Sequence, residues 1–247
     1  MKRYIYKQLL AWKNEKEHKP LILNGARQVG KTYILREFGR NEYKRMAFFS
    51  LDRDQKALEI FNKGGRATDM LMALSAICHE DITPHDTLVV LDEIQNCPKA
   101  LEALKFFCEE TPEIDIVVAG SLLGLSIHSG VSYPVGKVEE LHLYPMTFLE
   151  FLEAMGKTQL VNLLENKNWT VINMLETELI SSLRQYYYVG GMPAAVLAHI
   201  EKKGWKEVRR IQQQIITDYR RDFSKHAPTR EIPRINMVWD SIPAQLA

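Results

Sequence analysis

Much that marks other classes of protein is scarce or missing in this chain. Cysteine occurs three times, at Cys78, Cys97 and Cys108, an odd number with no C-x-x-C spacing. That excludes a disulfide scaffold and a thiolate metal cluster; each reads as a small packed hydrophobe, and a reducing cytoplasm is expected. His18, His79, His85, His128, His142, His199 and His226 are scattered singly, which argues against a histidine-built metal centre. Long apolar runs are missing, because Lys or Glu interrupts every candidate span and Met1-Lys2-Arg3-Tyr4 leads into none. Neither a signal peptide nor a membrane helix is expected. Charge of one sign is not in excess: 32 Lys and Arg face 31 Asp and Glu, a formal net charge of +1. Nothing global therefore calls for nucleic acid or an anionic membrane. Repeats and low-complexity stretches are absent too. With 46% hydrophobic and 26% charged residues, the chain can bury a core and is not a disordered polymer.

What is present begins with Gly25-Ala26-Arg27-Gln28-Val29-Gly30-Lys31-Thr32, which fits G-x-x-x-x-G-K-[ST]. It follows the apolar run Pro20–Leu23 and precedes Tyr33–Phe38, whose spacing is that of a helix with one buried face. Strand, glycine turn and helix in that order are the context of a phosphate-binding P-loop. Glycines let the backbone curl so that N–H groups point at an anion, and the helix N-terminus adds partial positive charge. Lys31 would reach the β- and γ-phosphates, and the Thr32 hydroxyl would be a hard oxygen ligand for Mg²⁺.

The second signal is Thr87-Leu88-Val89-Val90-Leu91-Asp92-Glu93. Four consecutive aliphatics predict a parallel strand buried on both faces, with two acids at the rim where open α/β sheets bind ligands. This reads as a Walker B element: Asp92 in the Mg²⁺ shell, Glu93 polarising the attacking water. The Asp-Glu pair predicts one further strand between the two motif strands. Ile114–Ser121 reads as the next buried strand, with Ser121 at its tip placed as a sensor of the γ-phosphate, or as an ordinary turn residue.

Around these motifs the periodicity predicts helices over 2–13, 54–62, 68–79 and 99–110, and a second buried strand over 46–51. The first of those helices is expected beside the nucleotide pocket. Residues 122–136 read as a Gly/Ser-rich connection, Val138–Leu143 as an edge strand, and Thr147 as the cap of a helix through Leu152. Beyond that only helical patterns follow: 158–165, 173–188, 193–202, 205–223 and 231–242. The expected class is α/β, a parallel sheet with flanking helices over 1–156 and an all-α lid over 157–247. A GTPase is unsupported, since neither Asn62-Lys63 nor Asn166-Lys167 leads to the required Asp. Asp92-Glu93-Ile94-Gln95 does match the D-E-x-Q of some helicases, but 157–247 is too short for their second domain.

Other stretches carry a family resemblance. They are Leu91–Gln95, Ala119-Gly120-Ser121, Leu143-Tyr144-Pro145-Met146-Thr147-Phe148-Leu149-Glu150-Phe151, Tyr188–Pro193 and Ile242–Ala247. Together with the P-loop, the chain resembles prokaryotic AAA-type ATPases that carry a C-terminal DUF4143 domain. The resemblance implies ATP, Mg²⁺ and an AAA-type P-loop core followed by a helical lid, with no substrate indicated. It departs at Gly136-Lys137, where the family often has Gly-Arg and Lys offers no planar fork.

The expected site is therefore Gly25, Ala26, Arg27, Gln28, Val29, Gly30, Lys31, Thr32 and Tyr33 for ATP, Thr32 and Asp92 for Mg²⁺, and Glu93, Ser121 and Lys31 for catalysis. Arg220 or Arg221 is the candidate arginine finger, in cis or in trans, unless both simply pair with Asp218 and Asp222. The reading is an ATPase; the alternative is an ATP-dependent switch or DNA-associated module with little turnover. Ten basic residues against five acids in 201–234 keep nucleic acid open as a partner, beside a homo-oligomer. The apolar end, with Val238, Trp239, Ile242 and Leu246, predicts an exposed patch and a chain that continues further in its gene product.

Overall fold

The two longest aliphatic runs become internal strands. β3 (Thr87–Asp92) and β4 (Asp115–Gly120) are buried at every position, as strands covered on both faces must be. The computed structural model describes residues 1–121 and 133–245. Most of the expected connection over 122–136, and Leu246 and Ala247, lie outside the described residues. With β1 (Leu21–Gly25), β2 (Arg45–Ser50) and β5 (Glu139–Leu143) the strands form one sheet, ordered β2-β3-β4-β1-β5. Every pairing is parallel. β4 stands between β1 and β3, the extra strand that the Asp-Glu pair predicts.

The register brings the strand ends to one rim. Asn24 lies opposite Gly120, Gly25 opposite Leu143, and Ser50 opposite Asp92. One expectation is corrected. The 46–51 run is not an internal strand but the β2 edge, where Ala47 and Phe49 are buried and alternate positions are half-buried. A short run of apolar residues cannot by itself tell an edge from an interior.

Helices cover both faces. α3 (Gln55–Lys63), α4 (Ala67–Cys78) and α5 (Pro98–Glu110) bury Phe61, Leu74, Leu104 and Phe107 against one face, with the Phe61 and Phe107 rings edge-on at 6.5 Å. α2 (Lys31–Glu42) buries Ile34, Leu35 and Phe38 on the other, and α1 (Ile5–Asn14) packs against α2 and β5. That places α1 beside the loop that joins β1 to α2.

The chain divides into two compact units, Met1–Glu150 and Phe151–Ala247, and the division falls inside α6 (Phe148–Ala154). The second unit is helical: α7 (Thr158–Glu165), α8 (Trp169–Met174), α9 (Glu176–Val189), α10 (Pro193–Ile200), α11 (Trp205–His226) and α12 (Ile232–Gln245). The single helix expected over 173–188 is two, because Asn168 caps an earlier start through Val171 N and the chain turns at Leu175. Within this unit Phe151 meets the Tyr186 and His199 rings at 5.5 and 6.0 Å. Among the described residues no helix is long and apolar enough to cross a membrane.

Candidate functional site

The loop from Gly25 to Lys31 starts where β1 ends and finishes as the first turn of α2. Gly25 admits no side chain, since a Cβ there would stand 2.4 Å from the Leu143 carbonyl oxygen of β5. Gly30, the residue before the helix, has φ of 99°, a left-handed conformation that favours glycine. Gln28 is also left-handed, at φ 65°. Ala26, Arg27 and Gln28 are exposed at the tip, Val29 is buried, and Tyr33 is exposed on the first turns of α2.

Lys31 is folded into the loop. Its Nζ donates to the carbonyls of Gly25 and Ala26, both at 2.8 Å, and the residue is only 8% exposed. Burial pulls its pKa below the ordinary lysine value, while Glu93 and Asp92 push the other way. An ammonium desolvated in this way is favoured further by any anion that enters the loop.

The two sequence motifs meet directly. The Thr32 hydroxyl donates to Asp92 Oδ2 at 2.6 Å, across 60 positions of sequence. Asp92 is buried at the end of β3, and its Oδ1 accepts from the Glu93 amide at 3.0 Å. Mg²⁺ keeps several waters and takes one or two protein oxygens beside substrate phosphates, so this hydroxyl–carboxylate pair fits it. Glu93 follows in a left-handed conformation, φ 56°, half-buried, and Gln95 Nε2 donates to its Oε2. Ser121 comes directly after β4, whose Gly120 faces Asn24, so it stands on the same rim as the loop.

Other residues singled out in the sequence have charged partners of their own. Lys137 precedes β5 and pairs with Glu109 near the end of α5 at 3.0 Å. β5 runs parallel to β1, so Lys137 is at the rim opposite the loop of its own sheet. Arg221 lies 3.8 Å from Asp218, and Arg220 contacts Asp240, both pairings inside the helical unit.

Three features went unread in the sequence. Arg3, only 6% exposed, donates to the Val29 carbonyl inside the loop at 2.9 Å. Gln95 engages Glu93. Asp115, which reads as an ordinary strand start, is 1% exposed and bonded to His18 Nε2 at 2.9 Å, on the rim away from the loop. Asp115 had a sequence signal, an acid leading a wholly apolar strand, and Gln95 had one in the D-E-x-Q match; Arg3 had none.

Fold and site together define a P-loop nucleotide-binding protein with the extra strand between its motif strands. The profile of a family described as AAA domain (AAA_14) matches residues 17–152, more than half of the chain, and the chain belongs to that family of AAA-type ATPases. Residues 180–247 match a domain of unknown function, DUF8612, rather than DUF4143. Comparison with curated proteins finds no match. Among solved structures, the Walker-type ATPase of Pyrococcus abyssi is 16% identical with a TM-score of 0.56, over 92% of this chain and 76% of that one. That likeness is one of fold. Drosophila ORC bound to DNA aligns at 15% identity and a TM-score of 0.47, over 85% of this chain and 65% of that one, too loosely to carry an argument.

Proposed function

We propose that this chain binds ATP with Mg²⁺ and hydrolyses it. The observation that carries the reading is the 2.6 Å bond from Thr32 to Asp92, with Lys31 buried one residue before and Glu93 one residue after. On this reading the loop amides from Ala26 to Tyr33 hold the phosphates, and Lys31 neutralises the β- and γ-groups. Thr32 and Asp92 hold the cation, which, when bound, neutralises charge developing on the phosphates. Glu93 accepts the proton of the attacking water, and Ser121 donates to the γ-phosphate. Arg220 or Arg221 completes the site after leaving its carboxylate partner, from the same chain or from a second copy.

The low-turnover switch is the second reading, favoured by the bond from Gln95 that occupies the Glu93 carboxylate. Nucleic acid along 201–234 has less support, because Lys203, Arg210, Arg220, Arg221, Arg230 and Arg234 are each paired with an acid. The cytoplasm remains the proposed location. The resemblance to DUF4143-bearing ATPases, resting on its motifs, is proposed beside the DUF8612 match.

Steady-state phosphate release, with and without DNA, tests these readings. Wild type should turn over ATP in a Mg²⁺-dependent way, and Glu93→Gln should bind ATP normally while hydrolysing it about 10² to 10⁴ times more slowly. Wild-type rates in that variant would remove Glu93 from catalysis and leave the switch.

A further inference from the structure

We propose that Arg3 is a positioning residue of the nucleotide site, one that holds the P-loop in its phosphate-binding form and ties it to the segment leading out of the core. The proposal rests on the nucleotide-site reading above, and three hydrogen bonds carry it. Arg3 Nη1 donates to the Val29 carbonyl at 2.9 Å, Nη2 to the Tyr144 carbonyl at 2.6 Å, and Nε to Glu150 Oε1 at 3.1 Å. The guanidinium and the carboxylate are both buried, at 6% and 4% exposure. A planar fork with several fixed donors can serve three acceptors in different directions; an ammonium on a flexible stem cannot do so with the same geometry.

The consequence for the loop follows from peptide geometry. The Val29–Gly30 peptide is trans, so its C=O and the Gly30 N–H point in opposite directions. Anchoring the carbonyl on Arg3 turns the Gly30 amide away from Arg3, and Gly30 is the residue that opens α2. Glycine accepts either sign of φ, so without an anchor this peptide could rotate and present its oxygen to an anion instead of its N–H. Arg3 removes that freedom.

The other two bonds reach the stretch after β5. Glu150 accepts from the Tyr4 amide at 2.7 Å and the Thr147 amide at 2.9 Å, while the Thr147 hydroxyl accepts from the Glu150 amide at 3.2 Å. That reciprocal pair is a capping box at the start of α6. One side chain near the N-terminus thus joins the loop peptide to the cap of the helix in which the two units divide. Whatever fixes the loop therefore also steadies residues 144–150, and by linkage the reverse holds.

Two variants test this. Arg3→Lys keeps the charge facing Glu150 but loses the fork. The double variant Arg3→Met with Glu150→Gln removes the bonds without stranding a buried charge. Amide hydrogen exchange on nucleotide-free protein should be faster over both 27–32 and 144–150 in each variant, at a temperature where each is folded. ATP titration should show affinity about 10- to 100-fold weaker, the range for losing a charge-assisted bond, with the loss in KM rather than in kcat. Saturating ATP should slow exchange over 144–150 in wild type and not in the variants. Unchanged loop exchange and unchanged affinity in folded variants would overturn the proposal. So would loss of cooperative melting in both, which would make Arg3 a folding residue only. Failure of wild type to bind ATP would break the function proposed above, while exchange in the nucleotide-free protein would still decide what Arg3 does to the loop.

Discussion

The two units reach order by different routes. In Met1–Glu150, β3 and β4 are dry along their whole length, and helices cover both faces of the sheet. Among its described buried polar groups, Arg3 is bonded to Glu150, His18 to Asp115, and Asp92 to the half-buried Thr32. In Phe151–Ala247, by contrast, α8 and α12 have no fully buried side chain, and Trp169, Met174, Tyr187 and Met237 are each more than 60% exposed. Helices satisfy their backbone locally and can stand with little tertiary cover, whereas parallel strands form only when distant segments meet. The core therefore holds its motif residues in a dry parallel sheet, and the helical unit is rich in exposed apolar surface.

Removing Lys31 from the loop should be absolute in effect, and changes at the helical unit's arginines should act on rate without touching affinity. Lys31→Ala should abolish measurable ATP binding, because the buried ammonium is the cation the loop itself holds over its carbonyls. Titration calorimetry with a slowly hydrolysed analogue decides it, and unchanged affinity would mean the phosphate site is misplaced. Arg220→Ala or Arg221→Ala should leave that affinity intact and slow hydrolysis by about 10³ or more if either is the finger. A series in protein concentration separates a finger from a second copy from one in the same chain. Full activity in both variants would leave the two arginines to their acids.

A smaller effect sharpens the difference in packing. Gly25→Ala forces a Cβ against the backbone of β5, where nothing flexible can yield, and should cost about 1–3 kcal/mol of stability. Denaturant midpoints measure this; a midpoint equal to wild type would show that β1 and β5 can part at the loop. The least effect should come from the far rim. The His18 pKa is raised, first by its bond to Asp115, then by the charges of Asp115 and Glu139, with burial opposing. His85 Nδ1 stands 3.9 Å from the same carboxylate, exposed to solvent. Because the folded value lies above the ordinary 6.5, the stabilisation is complete below pH 6.5 and is lost as pH rises through the raised value. Melting temperatures from pH 5.5 to 8.5 should show that decline in wild type and a flatter profile in His18→Gln.

Much of this was legible in the linear chain, and for local reasons. Gly25, Gly30, Lys31 and Thr32 are close in sequence because the loop they form is a single short turn between β1 and α2. The aliphatic runs before Asp92 and Gly120 are continuous because both faces of those strands are covered. Helical periodicity placed most elements of the second unit, since it records a single helix's own burial. It failed at Leu175, where a turn interrupts a run of otherwise helical residues.

Contacts across long separations left no comparable trace. Nothing in the 46–51 run says that it pairs on one side only, because edge and interior differ in neighbours, not in composition. Arg3 follows Lys2 near the start of the chain, where a charge ordinarily faces water; its burial depends on Val29, Tyr144 and Glu150 arriving together. Asp115 and His18 meet over 97 positions. The sequence by itself determined the phosphate loop, the acids at the strand end and the class of fold, since each is written in adjacent residues with a fixed period. The tertiary structure alone decided which strand is an edge, which basic residue is buried and what holds the loop, because those depend on the three-dimensional meeting of segments that no local pattern encodes.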